Sequence, residues 1–346
     1  MDGKCICGCL LLECWWTISC GREEPKGFFF PRTIELTGES LGVDSLYMTY
    51  PYRLELADSV LIVMDLHGTD CFYHALSYPG LKYESSFGRK GKGPREITAC
   101  TPMTVRNGRV YVWDGSKSTL LVYPLSALDE EDSVRRVSFE GKLPAAVDMA
   151  VVDDSTVVLG NLTGESRLIL LPASGEAQKM FSLPAQEDGT LPDPKTGYLW
   201  RAFLSYSPES GKAALATQFG EVLEIYDLTD STQQVSMGAG GVPSARKGNA
   251  YGSVMEGFCD VKWIGDKIYA LFSGRSREEK EEAARSDSRI EGGNRIYVFD
   301  AKGRPETCYL LDRFIDGLTV DTTENRILGV TTSGELPFVL FDLPVR

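Results

Sequence analysis

The sequence predicts an all-β fold, a six-bladed β-propeller of four-stranded antiparallel blades whose ring is closed by an N-terminal strand in the last blade. Three observations carry this. A strand–turn–strand pattern returns six times along the 346 residues, with starts spaced by roughly 45 to 60 residues, the period of propeller blades rather than helical solenoids. The runs within each copy are apolar on both faces, as strands covered on both sides must be. Helical periodicity is nearly absent past Pro31.

The chain opens with an address rather than a fold. Lys4 precedes a largely apolar run from Cys5 to Ser19 that includes Trp15 and Trp16, and Cys20 follows at the start of a polar stretch. The run is too short to span a bilayer comfortably and reads as an export signal. The small Ser19 before Cys20 gives it the form of a lipoprotein signal, with Cys20 lipidated. We therefore expect a signal over 1–20, a linker over 21–31 and a propeller over 32–346. The product is expected in the periplasm or on the outer membrane, touching membrane only through a lipid anchor. The run Cys5, Cys7, Cys9 lies inside the apolar signal and offers no frame for a metal.

The first strand signal is "RTIELTG" (32–38), which has no hairpin partner nearby. The repeats follow as "DSVLIVMDLHGTDCFYHAL" (58–76), "NGRVYVWDGSKSTLLVYPL" (107–125), "DDSTVVLGNLTGESRLILLP" (153–172) and "SGKAALATQFGEVLEIYDL" (210–228). The fifth pairs "GDKIYALFSG" (265–274) with "GNRIYVFDAKG" (293–303), and the sixth is "ENRILGVTTSGELPFVLFDL" (324–343). A lone hairpin is marginal in water, so the blades must bury one another. Only four residues follow Asp342, too few for an outer strand of the last blade. Arg32–Thr37 is therefore expected to pair beside Phe338–Asp342, removing two open sheet edges. The polar stretch 276–289 reads as a solvated loop or short helix. Cys71, Cys100, Cys259 and Cys308 sit mostly in strand-like segments and are expected as free thiols, with one disulfide left open.

Between the first two repeats stands "GRKGKGPRE" (88–96). It lacks the Gly-Lys-Ser/Thr ending of a phosphate loop and opens no helix. Gly88, Gly91 and Gly93 admit positive φ and Pro94 stiffens the exit, so it reads as the crossover from one blade to the next. This run, with "IYALFSGR" (268–275), "RIYVFDAKG" (295–303) and the closing "FVLFDL" (338–343), resembles the TolB-like six-bladed β-propeller proteins of Bacteroidetes, related in style to NHL propellers. The resemblance covers residues from about 31 to 346 and implies the same fold. Many such proteins are predicted lipoproteins, and the family supplies no catalytic residues to carry over. Arg95 stands where the family's turn usually has Gly.

Charge and composition narrow the function. A net charge of −13 argues against nucleic acid, whose binding needs clustered cations, and against docking a broad face on an anionic bilayer. With only His67 and His74, sites built on several imidazoles are excluded. No Gly-x-Ser-x-Gly elbow is present. The longest connections fall between second and third strands or between blades, which in a propeller emerge on one face. They carry Arg89, Lys90, Lys92, Tyr198, Trp200, Arg201, Arg246, Lys247, Asn249, Tyr251 and Arg275. This basic, aromatic rim suits an anionic or sugar-like ligand or a protein partner. At the channel mouth, Asp148, Asp260 and Asp316 fall near the starts of inner strands, where convergent carboxylates could hold Ca²⁺ or cap strand turns. The expected function is a monomeric, non-catalytic envelope module that binds a protein or glycan partner. The alternative is a hydrolase or lyase working at the channel mouth, with Ca²⁺ as its one conceivable cofactor.

Overall fold

The computed structural model describes residues 27–139, 146–185, 189–244, 255–285 and 291–344. Six sheets stand around a central channel. Their inner strands are Pro51–Ala57, Met103–Arg106, Ala146–Asp153, Ala202–Ser207, Phe258–Ile264 and Gly317–Asp321. Each repeat seen in the sequence supplies the second and third strands of one blade, as Arg109–Asp114 and Thr119–Pro124 do in blade two.

The two-sided apolar runs are explained by burial between blades. Ile62, Met64 and Ala75 of blade one pack with Val110, Val112 and Leu121 of blade two. Tyr111, Trp113 and Leu120 on the opposite side of blade two meet Val157, Leu159 and Ile169 of blade three. Neighbouring side chains on a strand point to opposite faces, so each blade needs both sets apolar. The stretch 276–289 contributes a short helix, α1 (Arg277–Arg285). Among the described residues no helix is long and apolar enough to cross a membrane. Cys71, Cys100, Cys259 and Cys308 are free thiols.

The ring closes with an N-terminal strand in blade six, but the strand is not the expected one. Strand β1 (Arg32–Leu36) lies parallel to Pro305–Ile315 as a fifth strand of blade five. Strand β2 (Glu39–Leu41) pairs antiparallel with Phe338–Asp342, placing Ser40 opposite Val339. The cause lies on either side of β1. Upstream, the Phe28 and Phe30 rings pack on Tyr297 and Phe299, with centroids 4.5 to 6.0 Å apart, which commits the chain to blade five. Downstream, Gly38 passes so close to blade six that a Cβ there would lie 2.4 Å from Val339 Cγ1. Its N–H donates to Asp312 Oδ1 at 3.1 Å, and the chain crosses between blades at that glycine.

The crossover 88–96 is a built turn. Lys117 Nζ donates to the carbonyls of Gly93 at 2.9 Å and Glu96 at 2.6 Å. Glu96 Oε2 accepts the Gly93 N–H at 2.6 Å. Of its three glycines only Gly88 takes a positive φ, +68°, with its α-carbon against the Tyr73 ring. Arg95 pairs with Asp132 at 2.7 Å.

Candidate ligand-binding mouth

Every inner strand starts at the long-loop face, because the connection from the preceding blade delivers it there. Residues at those starts therefore surround one end of the channel. Tyr50, Tyr52, Phe203, Phe219, Phe258 and Asp316 line a cavity of about 260 Å³ at this end. Tyr50 and Tyr52 lead into the inner strand of blade one, Phe203 belongs to that of blade four and Phe258 opens that of blade five. Phe219 comes from the turn between the second and third strands of blade four. Neighbouring rings stand close, with Tyr50 and Tyr52 centroids 6.1 Å apart and Tyr52 and Phe203 6.4 Å apart.

Arg53 lies beyond these rings in the channel, where it lines the vestibule on the far side. Its Nη1 lies 2.7 Å from Asp148 Oδ2 and its Nη2 3.1 Å from Asp260 Oδ1. The guanidinium also lies over the Phe203 ring at 5.4 Å. Burial alone would favour losing the proton; the two carboxylates reverse this and push the Arg53 pKa above its ordinary value. Below this layer the channel opens to the other face as a polar vestibule of about 450 Å³. There Lys262 Nζ meets Glu55 Oε1 at 2.6 Å.

Two of the three aspartates, Asp148 and Asp260, meet at Arg53, and the third does not. Asp148 and Asp260 play matching roles: each accepts the next residue's N–H on Oδ1 and reaches a neighbouring blade with Oδ2. Asp148 accepts from Met149 and Leu204, and Asp260 from Val261 and Leu318. The charge between them is the Arg53 guanidinium. Asp316 stands apart in the mouth, where its Oδ2 accepts the Thr332 N–H at 2.7 Å and hydroxyl at 3.0 Å. Among the described residues no three acidic, His or Cys side chains are grouped to hold a metal.

Burial in the mouth raises the pKa of several groups. Burial, reinforced by Asp316 and Glu291, pushes the Tyr50 phenol up to about 12. Burial also drives the Cys259 thiol far above its usual range. It lifts the Asp316 carboxyl as well, helped by Glu291 and opposed by the Thr332 hydrogen bonds. His67 meets Tyr50 edge-on, with centroids 5.2 Å apart. His74 lies in blade one, with Nδ1 2.8 Å from Ser86 Oγ.

The basic rim proves largely engaged. Arg89 is within 3.4 Å of Glu131, and Lys90 lies over the Phe72 ring. Lys92 is exposed. Arg201 covers the Phe219 ring, beside the mouth. Arg275 lies over Phe314 and donates to the Gly292 carbonyl at 3.1 Å, bracing the loops behind the mouth. Tyr198 is half-buried. Trp200 is a correction: it is 2% exposed and packs with Leu183, Leu199 and Val222. Its carbonyl accepts from Arg167, which pairs with Glu224 in the core; Trp200 borders a separate cavity beside Val242 and Pro243 and does not line the mouth. Arg246, Lys247, Asn249, Tyr251 and Cys20 lie outside the described residues.

The sequence pattern of the TolB-like 6-blade propeller-like family matches residues 30–323. The chain belongs to this family. Among curated proteins none matches it. Solved structures similar to this TolB-like propeller include a member of the DUF4221 family from Bacteroides vulgatus, at 10% identity and TM-score 0.56, covering 90% of this chain and 98% of that one. A candidate exported protein of Bacteroides fragilis aligns at 10% identity and TM-score 0.53, covering 89% and 98%. A streptogramin B lyase aligns at 11% identity and TM-score 0.50, covering 89% and 97%. At these identities the likeness concerns the fold.

The mouth aromatics carry a signal that sequence reasoning passed over. Tyr52, Phe203 and Phe258 recur at or near the first residues of inner strands, a position visible once the blades are laid over one another.

Proposed function

We propose that this TolB-like propeller is an exported, non-catalytic binding module that takes a protein or glycan partner on its long-loop face. The observation that carries this is the aromatic mouth: a cavity ringed by Tyr50, Tyr52, Phe203, Phe219 and Phe258. Rings clustered in a concave site bury apolar area at low entropic cost and are the usual anchors of recognition. The thiol and phenols there are held protonated, which suits recognition better than nucleophilic attack.

Export is supported by the apolar run that ends at Cys20 and by the candidate exported protein among similar structures. We place the lipid on Cys20, so that the ring works tethered to a membrane of the envelope. Mass spectrometry of the membrane fraction tests this, and an unmodified Met1 or a soluble pool refutes it.

The binding reading is tested by affinity capture from envelope extract with the full chain as bait. Phe219→Ala and Arg201→Glu should abolish capture of whatever partner the native protein retains. Glu209→Lys, in the vestibule on the opposite face, should not. Equal capture by all three refutes the assignment of the face.

A further inference from the structure

The charge of the mouth differs from the charge of the loops around it. No Lys or Arg is among its described lining residues, whereas Asp316, Glu256 and Glu291 are. The nearby cations are held outside: Arg275 and Lys280 both face Glu256, Arg201 lies over Phe219, and Arg53 is shared by Asp148 and Asp260 below. Asp316 is the carboxylate that stays half-used. Both of its hydrogen bonds fall on Oδ2. Its Oδ1 has no hydrogen-bond partner among the described residues, and Asp316 lines the cavity. The residue is only 2% exposed, so this charge sits in a place of low dielectric, where an unpaired carboxylate is costly.

We propose that the mouth binds an organic ammonium group, seated among the rings of Tyr50, Tyr52, Phe203, Phe219 and Phe258 with Asp316 as its counter-charge. Aromatic faces carry negative potential and attract desolvated cations, quaternary ammonium above all. A carboxylate at the bottom of such a cage supplies the full charge that the rings cannot. The cavity of about 260 Å³ fits an ammonium head and its methyl groups. The charged groups of the lining are all carboxylates, Glu256, Glu291 and Asp316, which complement a cation. The ammonium can come from a small amine or from a lysine side chain of a polypeptide. This inference rests on the binding role proposed for the same face.

The test is calorimetric titration of the full chain with choline and with its neutral isostere 3,3-dimethylbutanol. Choline should bind at least about tenfold more tightly, the factor expected of a desolvated cation–π and charge contact. Asp316→Asn keeps the acceptor for Thr332 and should remove that preference while leaving the isostere unaffected. Phe219→Leu, a second variant that spares Asp316, should weaken choline more than the isostere. Melting curves of both variants establish that they fold. Equal affinity for the two compounds, no saturable choline binding, or full choline affinity in Asp316→Asn overturns the ammonium assignment. Those results leave capture by the long-loop face standing, since that experiment reads a different probe. Comparing choline with a lysine-containing peptide separates the sources: tighter choline binding indicates a small quaternary amine, and tighter peptide binding a polypeptide.

Discussion

Arg53 and Asp148 lie 95 residues apart in the chain and meet at 2.7 Å inside the channel. The bond ties blade one to blade three, and the second arm of the guanidinium reaches blade five through Asp260. Three sheets that share no strand are thus joined at one buried charge.

Removing that charge strands two carboxylates. Breaking a buried ion pair from one side costs about 3–5 kcal/mol, which for a fold of this size lowers the melting temperature by roughly 5–8 °C. Arg53→Met should show this loss by scanning calorimetry. Adding Asp148→Asn and Asp260→Asn should recover much of it, because the stranded charges go too. An unchanged melting temperature in Arg53→Met would show that the three-blade tie contributes nothing.

The two N-terminal strands should separate in a truncation series. Deletion through residue 37 removes β1 but leaves the blade-six edge covered by β2. Deletion through residue 42 uncovers Phe338–Asp342 as well and exposes a bare sheet edge. Thermal melts should therefore fall in two steps, the second bringing aggregation. If the first deletion alone exposes that edge to aggregation, the division of labour between β1 and β2 is wrong.

Lys117 holds the crossover 88–96 through carbonyls that have few other partners. Hydrogen bonds from a charged donor contribute about 1.5–3 kcal/mol each when buried. Lys117 is partly open to solvent, so Lys117→Met should cost about 1–3 kcal/mol in all. Urea unfolding measures this directly, and limited proteolysis should begin within 88–96. A neutral outcome in both would mean that Glu96 and the backbone suffice.

Acidity should control the mouth. Burial, reinforced by Glu291, holds the Asp316 carboxyl above the usual carboxylate range against the Thr332 hydrogen bonds and the Arg275 charge, which oppose it. The carboxylate is charged above its own pKa and neutral below it, so ammonium binding is full at neutral pH and declines as acid is added. Because that pKa is raised, the decline should begin above about pH 4, where an ordinary aspartate titrates. Asp316→Asn should give a flat profile over the same span. Choline affinity that holds down to the ordinary aspartate midpoint would refute the role of this group.

Much of the ring was legible because its signal is local and repeated. Runs such as Val110 to Trp113 and Leu120 to Tyr123 are short, apolar on both faces and separated by one turn, and burial between blades is the arrangement that satisfies them. The closing strand was harder, since Arg32–Leu36 and Glu39–Leu41 are adjacent and both suit an edge. What decides between them is long-range: Phe28 and Phe30 against Tyr297 and Phe299, and the tight passage of Gly38. The site was legible only as a face. Composition cannot distinguish Trp200, buried with Leu183 and Val222 away from the mouth, from Phe219, which lines it. Nor does it reveal that Arg275 is committed to a loop carbonyl while Asp316 keeps an oxygen to spare. Those differences arise from partners brought in by other blades.

Gly27 packs against Ala239, in the connection between blades four and five, on the side of the ring that carries the mouth. The described residues thus begin on that side. A leash running the seven residues back to Cys20 can extend no more than about 25 Å. With a lipid at its end, the aromatic cage would be kept close to the headgroup zone while the vestibule opens away from it. Ligands would then be gathered from the bilayer surface and from neighbours standing on it.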